Sequence, residues 1–189
     1  RKIGYKKDQV LIVDNTGYLG NSANAFKNEI KKLPGVKAGT FAGYLPVSAS
    51  ARNDNSYSKE AAMSSENTFN MQTWSIDEDY IGTMGMEIVS GRNFSKSFGT
   101  DSSAIIINET PAALLGYSNP LGKKIYSLQD AQDSKLNAYT IIGVVKNFNF
   151  ESMRQKIRPL CFVLREAPYS IAFKVNAQNA KEIVLQTET

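Results

Sequence analysis

The sequence predicts an α+β protein in which strands outnumber helices, and three observations carry that reading. Gln9 to Asp14 reads Gln-Val-Leu-Ile-Val-Asp, a short β-branched apolar run suited to a buried strand. Phe26, Ile30 and Leu33 then recur at i, i+4 and i+7, one helical stripe that needs a surface to cover it. Seven later runs have strand character, against three short stretches that read as helix. Strand, helix, strand is how an open-faced α/β sandwich begins.

The remaining elements follow in order. The turn Asn15-Thr16-Gly17-Tyr18-Leu19-Gly20 leads to the helix, with Asn21 or Ser22 placed to cap it. Pro34 disfavours helical geometry at Leu33 and Gly35 supplies a permissive turn, so a second strand is expected over 36–45. Residues 47–67 are rich in Ser, Asn and Ala, lack a period, and read as a long loop. Thr68 to Ile76 alternates as a strand, with Phe69, Met71 and Trp74 as its large side chains. Asp77-Glu78-Asp79 places acids at the start of a short helix to Met84, where they complement its dipole.

The strand over 104–107 runs into a helix over 112–115, capped by Thr110, with Pro111 in the first helical position and Gly116 as its stop. Asn119-Pro120 turns the chain towards a strand at 123–126, and a polar tip at 129–137 precedes the strand over 138–146. Further strands are expected at 160–164 and 170–175. A last helix begins at Asn179, with Ile183 and Val184 on one side. No internal repeat is present.

Composition narrows the function. A chain of 189 residues buries about 70% of its unfolded surface and needs no disulfide or structural metal to hold a core. No apolar run approaches the roughly 20 residues that span a bilayer. The chain has no histidine and one cysteine, Cys161, which excludes serine triads, imidazole acid/base chemistry, His- or Cys-rich zinc sites and an internal disulfide. The net charge of +4 lies in residues 1–37, which hold eight basic and three acidic side chains against 14 and 15 in the remainder. Few aromatics are interleaved there, so a solvated face fits better than a nucleic-acid surface; nearness to anionic lipid head groups is the functional alternative. The sequence reads as a segment of a longer chain, with neither an initiator methionine nor a signal segment and with its last helix unfinished.

The tempting sites are weak. Gly17-x-x-Gly20 lacks the Lys and hydroxyl of a phosphate loop and the third glycine of a dinucleotide fingerprint. Asp77, Glu78 and Asp79 match no calcium loop. Glu109 and Glu151 are not placed near each other by anything in the sequence. Cys161 sits between Leu160 and Phe162 and reads as a buried small hydrophobe. Trp74 and most tyrosines read as core. Tyr44 and Tyr57 flank the Ser/Asn-rich stretch and are the expected partner-facing side chains.

Four phrases nonetheless stand together in order. Asp77-Glu78-Asp79-Tyr80, Met84-Gly85 and Gly91-Arg92-Asn93-Phe94 resemble the signature of the MacB-like periplasmic core domain, the extracytoplasmic part of MacB/FtsX-type ABC transporter permeases. Ile105 to Thr110 resembles the next phrase, and Leu115-Gly116-Tyr117-Ser118-Asn119-Pro120-Leu121-Gly122-Lys123 the one after it. Ile141 to Ser152, followed by Ile157-Arg158-Pro159, is similar to the last, and Gly4 to Val10 resembles the start of Bacteroidetes-type members.

The resemblance implies two subdomains: a porter-like β-α-β open sandwich from residues 1–76 and 167–189, and a strand-rich, sabre-like subdomain inserted over 77–166. The family's closing strand would lie beyond Thr189. It also implies a protein that is not an enzyme, with no catalytic residue, cofactor or metal. The domain would be the periplasmic part of an inner-membrane permease that couples cytoplasmic ATP hydrolysis to periplasmic movement, export or partner binding by mechanotransmission. Its implied partners are a cytoplasmic ATPase subunit or domain acting through the membrane helices, a second permease copy, and a periplasmic adaptor or cargo, with no nucleic acid. The alternative is an extracytoplasmic ligand-binding or sensor domain of a membrane receptor, which would be equally free of catalytic residues. A hydrolase built on paired carboxylates fails on spacing.

Overall fold

The structure, a computed structural model, describes residues 8–45, 53–128, 136–148, 157–165, 167, 169–177 and 179–187. In chain order its elements are β1 (Asp8–Asp14), α1 (Ala23–Lys31), β2 (Val36–Phe41), β3 (Asp54–Ser58), β4 (Thr68–Ile76), α2 (Tyr80–Thr83) and β5 (Ile88–Gly91). Then come β6 (Ala104–Asn108), α3 (Glu109–Leu114), β7 (Lys124–Ser127), β8 (Asn137–Val145), β9 (Leu160–Leu164), β10 (Ser170–Asn176) and α4 (Ala180–Thr187).

The first and last elements build one small layer. Three strands pair in the order β1-β10-β2, antiparallel throughout. Period-2 alternation sends Leu11, Val13, Ile171, Phe173 and Val175 to one face, where Ala23, Phe26 and Ile30 of α1 and Ile183 of α4 cover them. The helical stripe seen in the sequence thus finds its surface. Gly39 lies opposite Phe173 in the register, and a Cβ there would come within 2.7 Å of the phenyl ring. On the other face Thr40 and Ala172 are buried, while Val10 and Ile12 of the edge strand β1 stay exposed.

The larger sheet closes on itself. Seven strands run in the order β5-β8-β6-β9-β4-β3-β7, and β7 also pairs with β8. Six of the seven, all but β5, therefore form a ring, a small barrel in which only β4–β9 and β6–β8 are parallel. Closure removes free edges, and in a barrel this small side chains fill the interior. That filling is Tyr57, Met71, Ile105, Ile107, Ile125, Tyr139, Ile141, Cys161 and Val163, drawn from all six strands. Residues alternating with these, including Trp74, Ile76, Ile106 and Phe162, point outwards and meet α2, Phe94 and the small layer's Ala42 and Ala172.

Several expectations need correction. The stretch 47–67 contains β3, whose sequence Asp-Asn-Ser-Tyr-Ser has almost no apolar alternation; pairing with β4 and β7 imposes the strand. Thr68–Ile76, expected with the small sheet, hydrogen-bonds instead to β3 and β9 in the barrel. The turn at 15–20 runs through 3₁₀ turns over Thr16–Ser22, broken by a kink at Gly20 (φ 49), that lead into α1, and Ser22 makes no side-chain cap bond. Helix α3 starts at Glu109, with Asn108 before it, so Thr110 is inside the helix and donates to Asn147 Oδ1 at 3.2 Å. Residues 129–135 of the polar tip lie outside the described residues.

Candidate functional site

The chain passes between the small layer and the barrel twice, through the segments joining β2 to β3 and β9 to β10. What happens at that junction decides whether the two parts can move separately. The backbone contributes a bridge between Ala42, just past β2, and Ile76 at the end of β4.

Asp77, the residue after β4, carries most of the polar contact. Its carboxylate is buried and accepts four hydrogen bonds. Oδ2 takes Lys27 Nζ from α1 at 3.0 Å and the Phe41 amide from β2 at 2.9 Å. Oδ1 takes the Thr40 hydroxyl and, at 3.1 Å, the Asp79 amide. Lys27 is itself 4% exposed and its ammonium lies 4.4 Å from the centre of the Phe41 ring. A buried charge without such partners would cost several kcal/mol, on the order of 3–5 if one member of the pair were removed. The three acids are therefore not chiefly a dipole complement, since α2 has only four residues. Each instead finds lysine: Asp77 with Lys27, Asp79 with Lys31 at 3.6 Å, and Glu78 with Lys96 at 2.9 Å. Burial pulls the Glu78 carboxyl up, but its hydrogen bond from Lys96 and the surrounding charges outweigh that and leave it below the ordinary carboxylate value. A cavity of about 210 Å³ opens here, lined by Asn24, Lys27, Asp77, Glu78, Lys96 and Arg165.

The apolar half of the junction centres on Trp74, which is fully buried. Tyr44 stacks on it at 5.9 Å, while Tyr80, Phe148 and Phe162 meet it edge-on at 6.4, 6.1 and 5.7 Å. Each such pair adds about 0.5–1.5 kcal/mol beyond the area it buries. The Tyr80 hydroxyl donates to Tyr44 O at 2.5 Å, tying α2 to the end of the small layer.

Of the two tyrosines expected to face a partner, Tyr57 does not. It points into the barrel, fully buried, with its hydroxyl 2.8 Å from Thr73 Oγ1 and accepting from the Cys161 thiol at 3.4 Å. Burial raises its pKa far above the ordinary phenol value. Tyr44 is half-buried on Trp74. Cys161 is enclosed and its thiol is pushed up to about 11 by burial. Glu109 accepts from the Asn147 amide at 2.8 Å; Glu151 lies outside the described residues. Among the described residues, no group of three or more carboxylate, thiol or imidazole side chains is placed to hold a metal ion, and no helix is long and apolar enough to cross a membrane. The Lys27–Asp77 pair was not legible in the sequence, since 50 residues separate its members.

The chain is a strand-rich α+β body whose buried charged pair, Lys27 and Asp77, lies where its small layer meets its barrel. The sequence pattern of the MacB-like periplasmic core domain matches residues 5–186, and the chain belongs to that family, the periplasmic domains of MacB/FtsX-type ABC transporter permeases. Among solved structures it is similar to the periplasmic region of MacB from Actinobacillus actinomycetemcomitans, with a TM-score of 0.59 at 14% identity over 96% of this chain and 82% of that one. It is also similar to the extracellular domain of the ABC-type transporter YknZ from Gram-positive bacteria, with a TM-score of 0.56 at 16% identity over 92% and 86%. No curated protein matches the sequence.

Proposed function

We propose that this chain is the non-catalytic periplasmic domain of an inner-membrane ABC permease, coupling cytoplasmic ATP hydrolysis to movement, export or partner binding outside the membrane. The observation that carries the reading is the family match over 5–186, nearly the whole chain. In this reading it has two parts, a porter-like layer and an inserted sabre-like barrel; the membership of β3 and β4 in the larger sheet supports a first boundary ahead of β3 in place of residue 76. Both the first and the last described elements belong to the small layer, so membrane segments on either side would push on that layer and not on the barrel. The working partners are an ATPase subunit or domain, reached through the membrane helices, a second permease copy, and an adaptor or cargo. Each partner must bind two arrangements of the domain unequally, or the motion does no work. Tyr44 keeps part of its surface open and is the side chain we assign to a partner.

The test is calorimetric titration of this chain with ATP and magnesium. No heat of binding is expected; a micromolar affinity would overturn the reading, because the fuel would then be consumed within the domain.

A further inference from the structure

We propose that the Asp77 carboxylate is a clasp that makes the small layer and the barrel a single rigid lever, an inference that deepens the coupling role above and rests on it. The carboxylate grows from the end of β4, a barrel strand, yet three of its four donors belong to the small layer: Lys27 on α1, and Thr40 and the Phe41 amide at the end of β2. Both oxygens are spent. A slide of either part by the length of a hydrogen bond breaks these three contacts together and leaves a buried carboxylate with only the Asp79 amide, a state costlier than any single lost bond.

The apolar contacts around Trp74 cannot set that register alone, because burial of apolar surface is non-directional. The outer ion pairs add little either: Lys31–Asp79 and Lys96–Glu78 hold partly exposed side chains, and such pairs are screened and weak. Beside the Tyr80–Tyr44 hydrogen bond and the Ala42–Ile76 bridge, Asp77 gathers the largest set of directional bonds across the joint and acts as a positioning residue. The consequence for a domain pushed through its small layer is that the barrel follows as one piece, so displacement at the sheet is amplified at the barrel's far side and not absorbed at the joint.

The experiment is a distance measurement by paired spin labels on this chain, at Lys37→Cys on β2 and Lys124→Cys on β7, both exposed; the buried Cys161 does not label. Unmodified at the clasp, the chain gives one narrow distance distribution. Lys27→Met/Asp77→Leu, an apolar replacement of the pair, keeps the circular dichroism of a folded chain but broadens the distribution. Thr40→Val, which leaves the ion pair and removes one donor, broadens it less and serves if the double variant does not fold. Lys32→Ala, at an exposed pair with Glu29, changes nothing. Distributions equally narrow in the folded clasp variants overturn the proposal, as does a broad distribution in the parent chain. The readout needs no transporter, so its failure is separate from failure of the coupling role. In the whole transporter, the same pair of labels is expected to hold its distance within about 2 Å with and without ATP, the scale above which domain rearrangement is counted; a larger shift also overturns the clasp.

Discussion

At residue scale, the phrases that marked the family turn out to be geometric. Gly91 has φ 75, and a Cβ on it would lie 2.2 Å from Ile142 O. Gly85 has φ 69 but open space around its would-be Cβ. Gly85→Ala is therefore expected to cost about 1–2 kcal/mol, the left-handed penalty alone, and Gly91→Ala roughly 3–5 kcal/mol because a backbone clash is added; urea unfolding of the pair measures the difference. The next residue, Arg92, grips Asp101 with two bonds of 2.9 and 2.7 Å and caps the Phe98 ring at 4.3 Å. Arg92's hydrogen bond is the main cause holding the Asp101 carboxyl below its ordinary value, against the opposing effect of burial. Since the folded value lies below the unfolded one, the stabilisation is full above about pH 4 and lost as pH falls through the depressed value. The Arg92 side chain is 39% exposed, so Arg92→Ala is expected to cost about 1–3 kcal/mol at neutral pH, less than a fully buried pair. The gap between the two proteins narrows as pH drops below about 4, which acid titration of unfolding reads directly. A gap that stays constant down to the acid limit would show that the charge pair is not its source.

At the scale of elements, legibility tracked apolar patterning. Strands β1, β4, β6, β8, β9 and β10 announced themselves because each carries β-branched or alternating apolar residues that the core requires. Strand β3 did not, because its only large apolar side chain is Tyr57, and its neighbours in the barrel decide its conformation. The same blindness put Tyr57 at a surface: a tyrosine in a polar stretch looks exposed until the ring of strands is known. Asn108 shows the converse. Its side chain accepts from the Leu160 amide at 3.0 Å and donates to Arg158 O at 3.0 Å, so two of the quoted family phrases meet in one joint that neither reveals alone. Closure also predicts dynamics. Amides of β6 and β9, paired on both sides within the barrel, are expected to exchange hydrogen far more slowly than those of β1, which among the described residues pairs only with β10 and leaves Val10 and Ile12 exposed. Native-state exchange measures this; β1 amides as protected as those of β6 would mean that its open side is covered in solution.

At the scale of the whole molecule, the fold class and the family could be read from the sequence, but the joint could not. Lys27, Thr40 and Asp77 each belong to an unremarkable local context, and only the packing of a small open sandwich against a barrel brings them together. Under the proposed coupling role, that joint makes the two sheets one lever, the small layer receiving force and the barrel delivering it. The most direct test uses the membrane-reconstituted transporter that carries this domain, with one spin label at Lys124→Cys in each of its two permease copies. The account predicts that the distance between the two labels changes between the nucleotide-free and ATP-bound states. An identical distance in both states would contradict it.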